Sequence, residues 1–361
     1  RHAGHFLDLA ERAHAGLVGA EQVDWLDTLA SEHDNLRAAL DSLMARGAQV
    51  DAVRLAGALW QFWWIRGHLT EGRERLRVVL ALADRAATPP ALLARAVDGA
   101  GALAEAQGDI AHAARCHEEA LSLWQRAGDP IGQARSRENL GVIELHDRGN
   151  AAAAREHFAG ALTLYEGQHD QPGVVSALRN LGDAALSEEQ FLAAAALYER
   201  ALGIARQLGR TRDIAAIVMS LGALAFFQAD AARAVRLYEE CLVHWRELGD
   251  LPGAALALGN LGEAFDHLGD FARGGRWGTG KASPSPCPTW RVCCASVGRT
   301  PRLCPSSARV LASARKSATT RAWRRRSKGW PGSWSNSGRG QMRRASPGWP
   351  DPSASRAPHR A

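Results

Sequence analysis

The stretch Asn180-Leu181-Gly182-Asp183-Ala184-Ala185-Leu186, continued by Phe191-Leu192-Ala193-Ala194-Ala195-Ala196-Leu197-Tyr198-Glu199-Arg200-Ala201, decides the fold. Two runs rich in Ala and Leu carry a glycine in the first and a small–aromatic–small series, Ala194, Tyr198 and Ala201, in the second. Apolar residues recur at three- and four-residue spacing, the mark of amphipathic helices. Small residues let two helix backbones approach closely where they cross, and the ring fills the gap beside them.

Outward from this stretch the pattern recurs. Glycines fall at Gly101, Gly141, Gly182, Gly222 and Gly262, at spacings of 40, 41, 40 and 40 residues. Small residues follow at Ala120, Ala161, Ala201 and Cys241, each preceded three positions earlier by a ring: His117, Phe158, Tyr198 and Tyr238. Gly128-Asp129-Pro130, Gln171-Pro172 and Gly249-Asp250-Leu251-Pro252 close successive units, since Gly and Pro punctuate helices. Self-similarity at a fixed period is the signature of a repeat array. Neither helix of a pair can bury its apolar stripe alone, so stacked pairs share one continuous core. The expected fold is all-α: a right-handed α-solenoid of helix pairs with a period of about 40, followed by a disordered C-terminal tail.

The expected solenoid spans 49–272, with units near 50–88, 91–129, 131–171, 173–211 and 212–250 and a truncated one at 252–272. The earliest unit is degenerate and carries Trp60, Phe62, Trp63 and Trp64, read as bulky core rather than a ligand box. The last first helix, with Leu258, Leu261 and Phe265, is expected to lack a packing partner and to fray. Residues 21–46 read as one amphipathic helix with Trp25, Leu26, Leu29, Leu36, Leu40 and Leu43 on its apolar stripe. His33, beside Asp34 and Asn35, has no third ligand or nucleophile near it in sequence and reads as a solvated polar group. No catalytic residue, metal site or cofactor is expected.

Composition divides the chain near residue 272. Residues 273–361 hold 19 Lys and Arg against one acid, Asp351, whereas the first 272 hold 25 basic and 37 acidic residues. Cys116 and Cys241 fall in different repeats, so no disulfide and a reducing cytoplasm are expected. No apolar run approaches the roughly 18 residues that span a membrane. The start at Arg1-His2-Ala3-Gly4-His5, without an initiator Met, reads as a piece of a longer chain.

The small–aromatic–small spacing resembles the tetratricopeptide repeat, with helices longer than that family's usual ones. Two further stretches, Glu32-His33-Asp34-Asn35-Leu36-Arg37-Ala38-Ala39-Leu40 and Leu59-Trp60-Gln61-Phe62-Trp63 with Arg66-Gly67-His68-Leu69-Thr70-Glu71-Gly72-Arg73, widen the resemblance. Together with the Leu-Gly repeats they resemble the region after the nucleotide-binding domain of bacterial STAND-class signal-transduction ATPases, regulators of the LuxR or AfsR type. The resemblance implies that residues 1–48 are a helical connector following a nucleotide-binding module. It also implies that the repeats sense a partner protein or peptide, or bind that module itself within one chain. A phosphate-cradling G-x-x-x-x-G-K-[ST] loop does not occur here: Gly4, Gly16 and Gly19 lack the adjacent Lys and Ser or Thr. A free-standing tetratricopeptide adaptor is the alternative within binding proteins.

In this repeat class the first helix of each pair lines the concave face. Two positions before the key glycines stand Asn139, Asn180, Ser220 and Asn260, one per repeat. An amide that both donates and accepts can grip the backbone of an extended peptide, and tetratricopeptide proteins that bind peptides use Asn similarly. The plain alternative is that each bonds a neighbouring helix and holds the stack together. Arg137 and Arg179 are out of register, so no clamp for a terminal carboxylate is expected.

After Ala272 the repeat pattern stops, and the chain turns to Arg, Ser, Pro, Cys and Trp. Every Trp codon read one nucleotide earlier gives Leu, Val or Met, and Lys316 to Gly338 can then read as a repeat-like helix. The segment is therefore read as out of frame and disordered. The rival is a basic tail that binds nucleic acid, with Arg324-Arg325-Arg326 on phosphates. Cys287, Cys293, Cys294 and Cys304 contain no C-x-x-C pair and make a poor zinc set.

Overall fold

The computed structural model describes residues 2–17 and 21–270. These residues form fourteen α-helices and no strand. A lead-in of α1 (His2–Gly16), α2 (Gln22–Ser31) and α3 (His33–Ala45) precedes five pairs. The pairs are α4 (Gln49–Arg66) with α5 (Leu69–Leu82), α6 (Pro90–Ala106) with α7 (Ile110–Ala127), and α8 (Pro130–His146) with α9 (Ala151–Gly167). They continue with α10 (Gln171–Ser187) and α11 (Phe191–Gln207), then α12 (Thr211–Phe227) and α13 (Ala231–Glu247), and α14 (Leu251–Leu268) follows. The basic segment from residue 273 onward, expected to be disordered and out of frame, lies outside the described residues.

From α6 to α14 every helix is 17 or 18 residues long, which accounts for the long period. Their boundaries are chemically marked. Asp109, Asp129, Asn150, Asp170, Asp230 and Asp250 each accept a hydrogen bond from the amide three residues on, at 2.8–3.3 Å, satisfying a donor the helix leaves open. Pro occupies the first turn of α6, α8, α10 and α14, where its missing N–H costs nothing. Left-handed residues close the helices. Most are glycines, but His169, Glu189 and Ala229 hold φ of 55–65° at three of these turns.

Within each pair the predicted glycine and ring meet. A Cβ on Gly141 would lie 2.5 Å from Phe158, on Gly182 2.4 Å from Tyr198, and on Gly222 2.5 Å from Tyr238; on Gly101 it would lie 2.8 Å from His117. Ala120, Ala161, Ala201 and Cys241 are fully buried beside them, while Gly262, on α14, is buried as well. A second series bolts consecutive pairs together. Trp124 covers Gly132, Tyr165 covers Gly173 and Trp245 covers Gly253. At the corresponding seam the chain has Ala205 and Asp213, so ring and glycine are lost together.

Residues 21–46 are not one helix. The backbone leaves helical geometry at Glu32 (φ −98°, ψ 8°), where the Ser31 hydroxyl bonds the Thr28 carbonyl at 2.8 Å and Asn35 donates to the Glu32 carboxylate. These side-chain bonds compete with the helix ladder and turn the chain without a Gly or Pro to announce it. In the aromatic segment, Phe62 and Trp63 are core, Trp60 packs on Gly99, and Trp64 remains half exposed. At the far end Leu261 and Phe265 are buried and Leu258 half-buried.

Candidate functional site

The first helices of the later pairs line a cleft of about 260 Å³. His146 of α8, Arg179, Asp183 and Leu186 of α10, Met219, Ser220, Ala223 and Phe226 of α12, and Leu256, Asn260 and Glu263 of α14 face it. Its lining combines apolar side chains with groups of both charge signs. Arg179 pairs with Asp183 at 3.0 Å, and Phe226 meets His267 edge-on, ring centroids 4.6 Å apart. Burial, ahead of every charge around it, pushes the His146 imidazole below its ordinary range.

The four ladder positions fall into two situations. Asn139 lies 3.4 Å from His117 Nδ1. Asn180 is buried and donates to Glu138 at 3.0 Å. Ser220 lines the cleft while donating to Asp183 at 3.1 Å. Asn260 lines the cleft beside it. Arg137, noted in the sequence, does not line this cleft, whereas Arg179 does.

The acids that tie successive pairs together escaped the sequence reading. Asp98 of α6 accepts from Trp124 Nε1 at 2.8 Å and from Ser136 Oγ at 2.9–3.0 Å, with His117 Nδ1 at 2.9 Å. Glu138 of α8 accepts from Tyr165 at 2.7 Å and from Asn180. Asp183 of α10 accepts from Tyr198 at 2.7 Å and from Ser220. Each carboxylate thus ties its own pair's second helix to the next pair's first helix. Burial raises Glu138 above the ordinary carboxylate range against the pull of its donors, and it holds the Tyr198 phenol far above its usual value. Buried polar groups of this kind are costly unless satisfied and specifying when they are. The one sequence signal was an acid three residues before, or one after, the repeat glycine.

A separate cluster sits where α3 and α5 begin. His33, His68 and Glu71 bring their ligand atoms within 4.8 Å of one another. In sequence only a His-x-x-Glu spacing at 68–71 pointed there, and His33 was 35 positions away. Cys116 and Cys241 are buried free thiols, raised by burial to about 11 and about 12, so neither is a ready nucleophile.

Residues 131–207 match the tetratricopeptide repeat family. This part of the chain is a tetratricopeptide repeat region. No curated protein sequence matches the chain. Among solved structures it is similar to the apo form of RapI, with 11% identity and a TM-score of 0.60 over 74% of this chain and 91% of that one. It is also similar to a Rap protein complexed with Competence and Sporulation Factor, at 14% identity and TM-score 0.55, covering 84% and 91% of the two chains. A third is the STAND protein with a tetratricopeptide repeat sensor from Pyrococcus horikoshii, at 12% identity and TM-score 0.52, where 73% of this chain aligns with 42% of that one. At these identities the likeness is one of fold: a tetratricopeptide-like all-α solenoid. No helix among the described residues is long and apolar enough to cross a membrane.

Proposed function

We propose that the chain is a non-catalytic protein-interaction and sensor module, holding a short peptide or a segment of a partner domain in the cleft between α8 and α14. The carrying observation is the cleft itself: Met219, Phe226 and Leu256 offer an apolar seat, while Asn260, Glu263 and Arg179 stand at its walls. Burial of an apolar side chain supplies affinity there and the polar groups fix orientation. Of the ladder, Ser220 and Asn260 line the cleft, Ser220 with its hydroxyl proton given to Asp183 and only its lone pairs open to a ligand; Asn180 is committed to Glu138. The solved Rap complex with Competence and Sporulation Factor supports a binding role for an array of this kind. The STAND sensor likeness, with the Glu32–Leu40 and Arg66–Arg73 stretches, supports a place beside a nucleotide-binding module, a cytoplasmic regulator in which the partner lies within the same polypeptide.

The test is a selection of displayed random peptides on the full chain, followed by fluorescence anisotropy of the winners. Ala223→Trp, which fills the cleft, is expected to abolish binding, and Asn260→Ala to weaken it about tenfold, with helicity by circular dichroism unchanged. Peptides that bind the filled variant as well as the parent would refute the reading.

A further inference from the structure

We propose that His33, His68 and Glu71 form a binding site for a divalent transition-metal ion of the zinc class, pinning α3 to α5. The three offer two imidazole nitrogens and a carboxylate oxygen, a set that suits Zn²⁺ and its neighbours. Their ligand atoms lie within 4.8 Å of one another. His33 Nε2 stands 3.5 Å from Glu71 Oε1. Two ligands about 2.1 Å from a tetrahedral zinc are about 3.4 Å apart, so this pair already holds the separation that coordination requires. As a hydrogen bond the same contact is not made: His33 Nε2 is buried without a hydrogen-bond partner, a cost that a bound ion removes.

The surroundings are those of a built site. Phe62 packs against both imidazoles, edge-on to His33 with centroids 5.1 Å apart and tilted to His68 at 5.7 Å, and the two imidazoles are 4.6 Å apart. Arg37 grips Glu71 with two hydrogen bonds, Nε to Oε1 at 2.6 Å and Nη2 to Oε2 at 2.5 Å, which fixes the carboxylate as outer partners of ligating groups do. Each carboxylate oxygen keeps a second lone pair for a metal. The Arg37 charge is met by Asp34 at 2.9 Å. Asp34, Arg37 and Glu71 together leave one net negative charge beside two imidazoles, so the site favours a cation despite the guanidinium. His68 immediately precedes α5 and Glu71 lies in its first turn, while His33 opens α3. One ion therefore joins the two stretches, Glu32–Leu40 and Arg66–Arg73.

The experiment is calorimetric titration of the chelator-treated full chain with ZnCl₂, with CoCl₂ absorption as a second readout. Saturable binding with visible d–d bands of a low-symmetry cobalt site is expected. His33→Gln and His68→Gln are each expected to weaken the event at least 100-fold, and His112→Gln to leave it unchanged. His68, half-buried, serves as the decisive variant if His33→Gln does not fold. Absence of saturable binding, or binding that survives both substitutions, overturns the proposal and leaves His33 as a structural imidazole only. Peptide binding in the distant cleft is read out separately and is indifferent to either result.

Discussion

Gly182 and Tyr198 are locked together: the Tyr198 ring fills the space that a Cβ on Gly182 would need, 2.4 Å from its Cε1, and Asp183 tethers the ring's hydroxyl at 2.7 Å. Glycine inside a helix ordinarily costs stability relative to alanine, by about 0.5–1 kcal/mol. Here the balance reverses. Tyr198 is fully buried and cannot swing away without losing its bond to Asp183. Gly182→Ala is expected to destabilise by about 1–3 kcal/mol, seen as a lower urea midpoint. An unchanged or raised midpoint would show that the ring yields.

Ala229 gives the opposite case. It holds φ 65° in the turn between α12 and α13, where the matching turns use Gly108, Gly149 and Gly269. A left-handed residue with a Cβ is strained by roughly 1–2 kcal/mol. Ala229→Gly is therefore expected to raise stability by about 1 kcal/mol after the larger entropy of the unfolded glycine is set against it. Glu189→Gly tests the same geometry one unit earlier.

The ladder separates under mutation. Asn180→Ala removes a donor from the buried Glu138 carboxyl, so it is expected to cost about 1–3 kcal/mol in stability whatever it does to binding. Asn260→Ala, on the cleft wall, is expected to stay within about 0.5 kcal/mol of the parent. A combined Ala ladder would confuse the two effects, and thermal melts of the single variants keep them apart.

Acid sensitivity should come in part from His14. Burial, helped by Arg95, lowers its imidazole to about 4 from 6.5, and its Nδ1 has no hydrogen-bond partner. The unfolded chain thus binds the proton more readily between these values. His14 favours the native state fully above about pH 6.5, and that contribution is lost as pH falls to about 4, at most about 3 kcal/mol. His14→Gln is expected to flatten this limb of a stability-against-pH curve. An equally steep limb in the variant would assign the sensitivity elsewhere.

The array was legible because its signal is periodic: Gly182, Tyr198 and Ala201 have counterparts every 40 or 41 residues, and each recurrence is an independent witness to one geometry. Glu32 was not legible, since a turn made by side-chain bonds of Ser31 and Asn35 has no Gly or Pro to mark it. The acids Asp98, Glu138 and Asp183 escaped for another reason. Asp98 and Glu138 stand three residues before their glycines, but Asp183 does the same work from one residue after Gly182, so the series does not hold a single register. His33, His68 and Glu71 meet only through tertiary packing, which sequence distance hides.

The missing ring at Ala205 has a mechanical meaning. Three seams are fastened by Trp124, Tyr165 and Trp245 on their glycines, and the α11–α12 seam, with Ala205 and Asp213, has no such fastener. Among the four seams from α7 to α14 it is also the most sparsely packed. The cleft bridges it, with Asp183 on one bank and Phe226 on the other. Of those four seams, the one beneath the cleft is thus the least fastened. A ligand wedged there would push apart two helix pairs that no ring-on-glycine contact holds together.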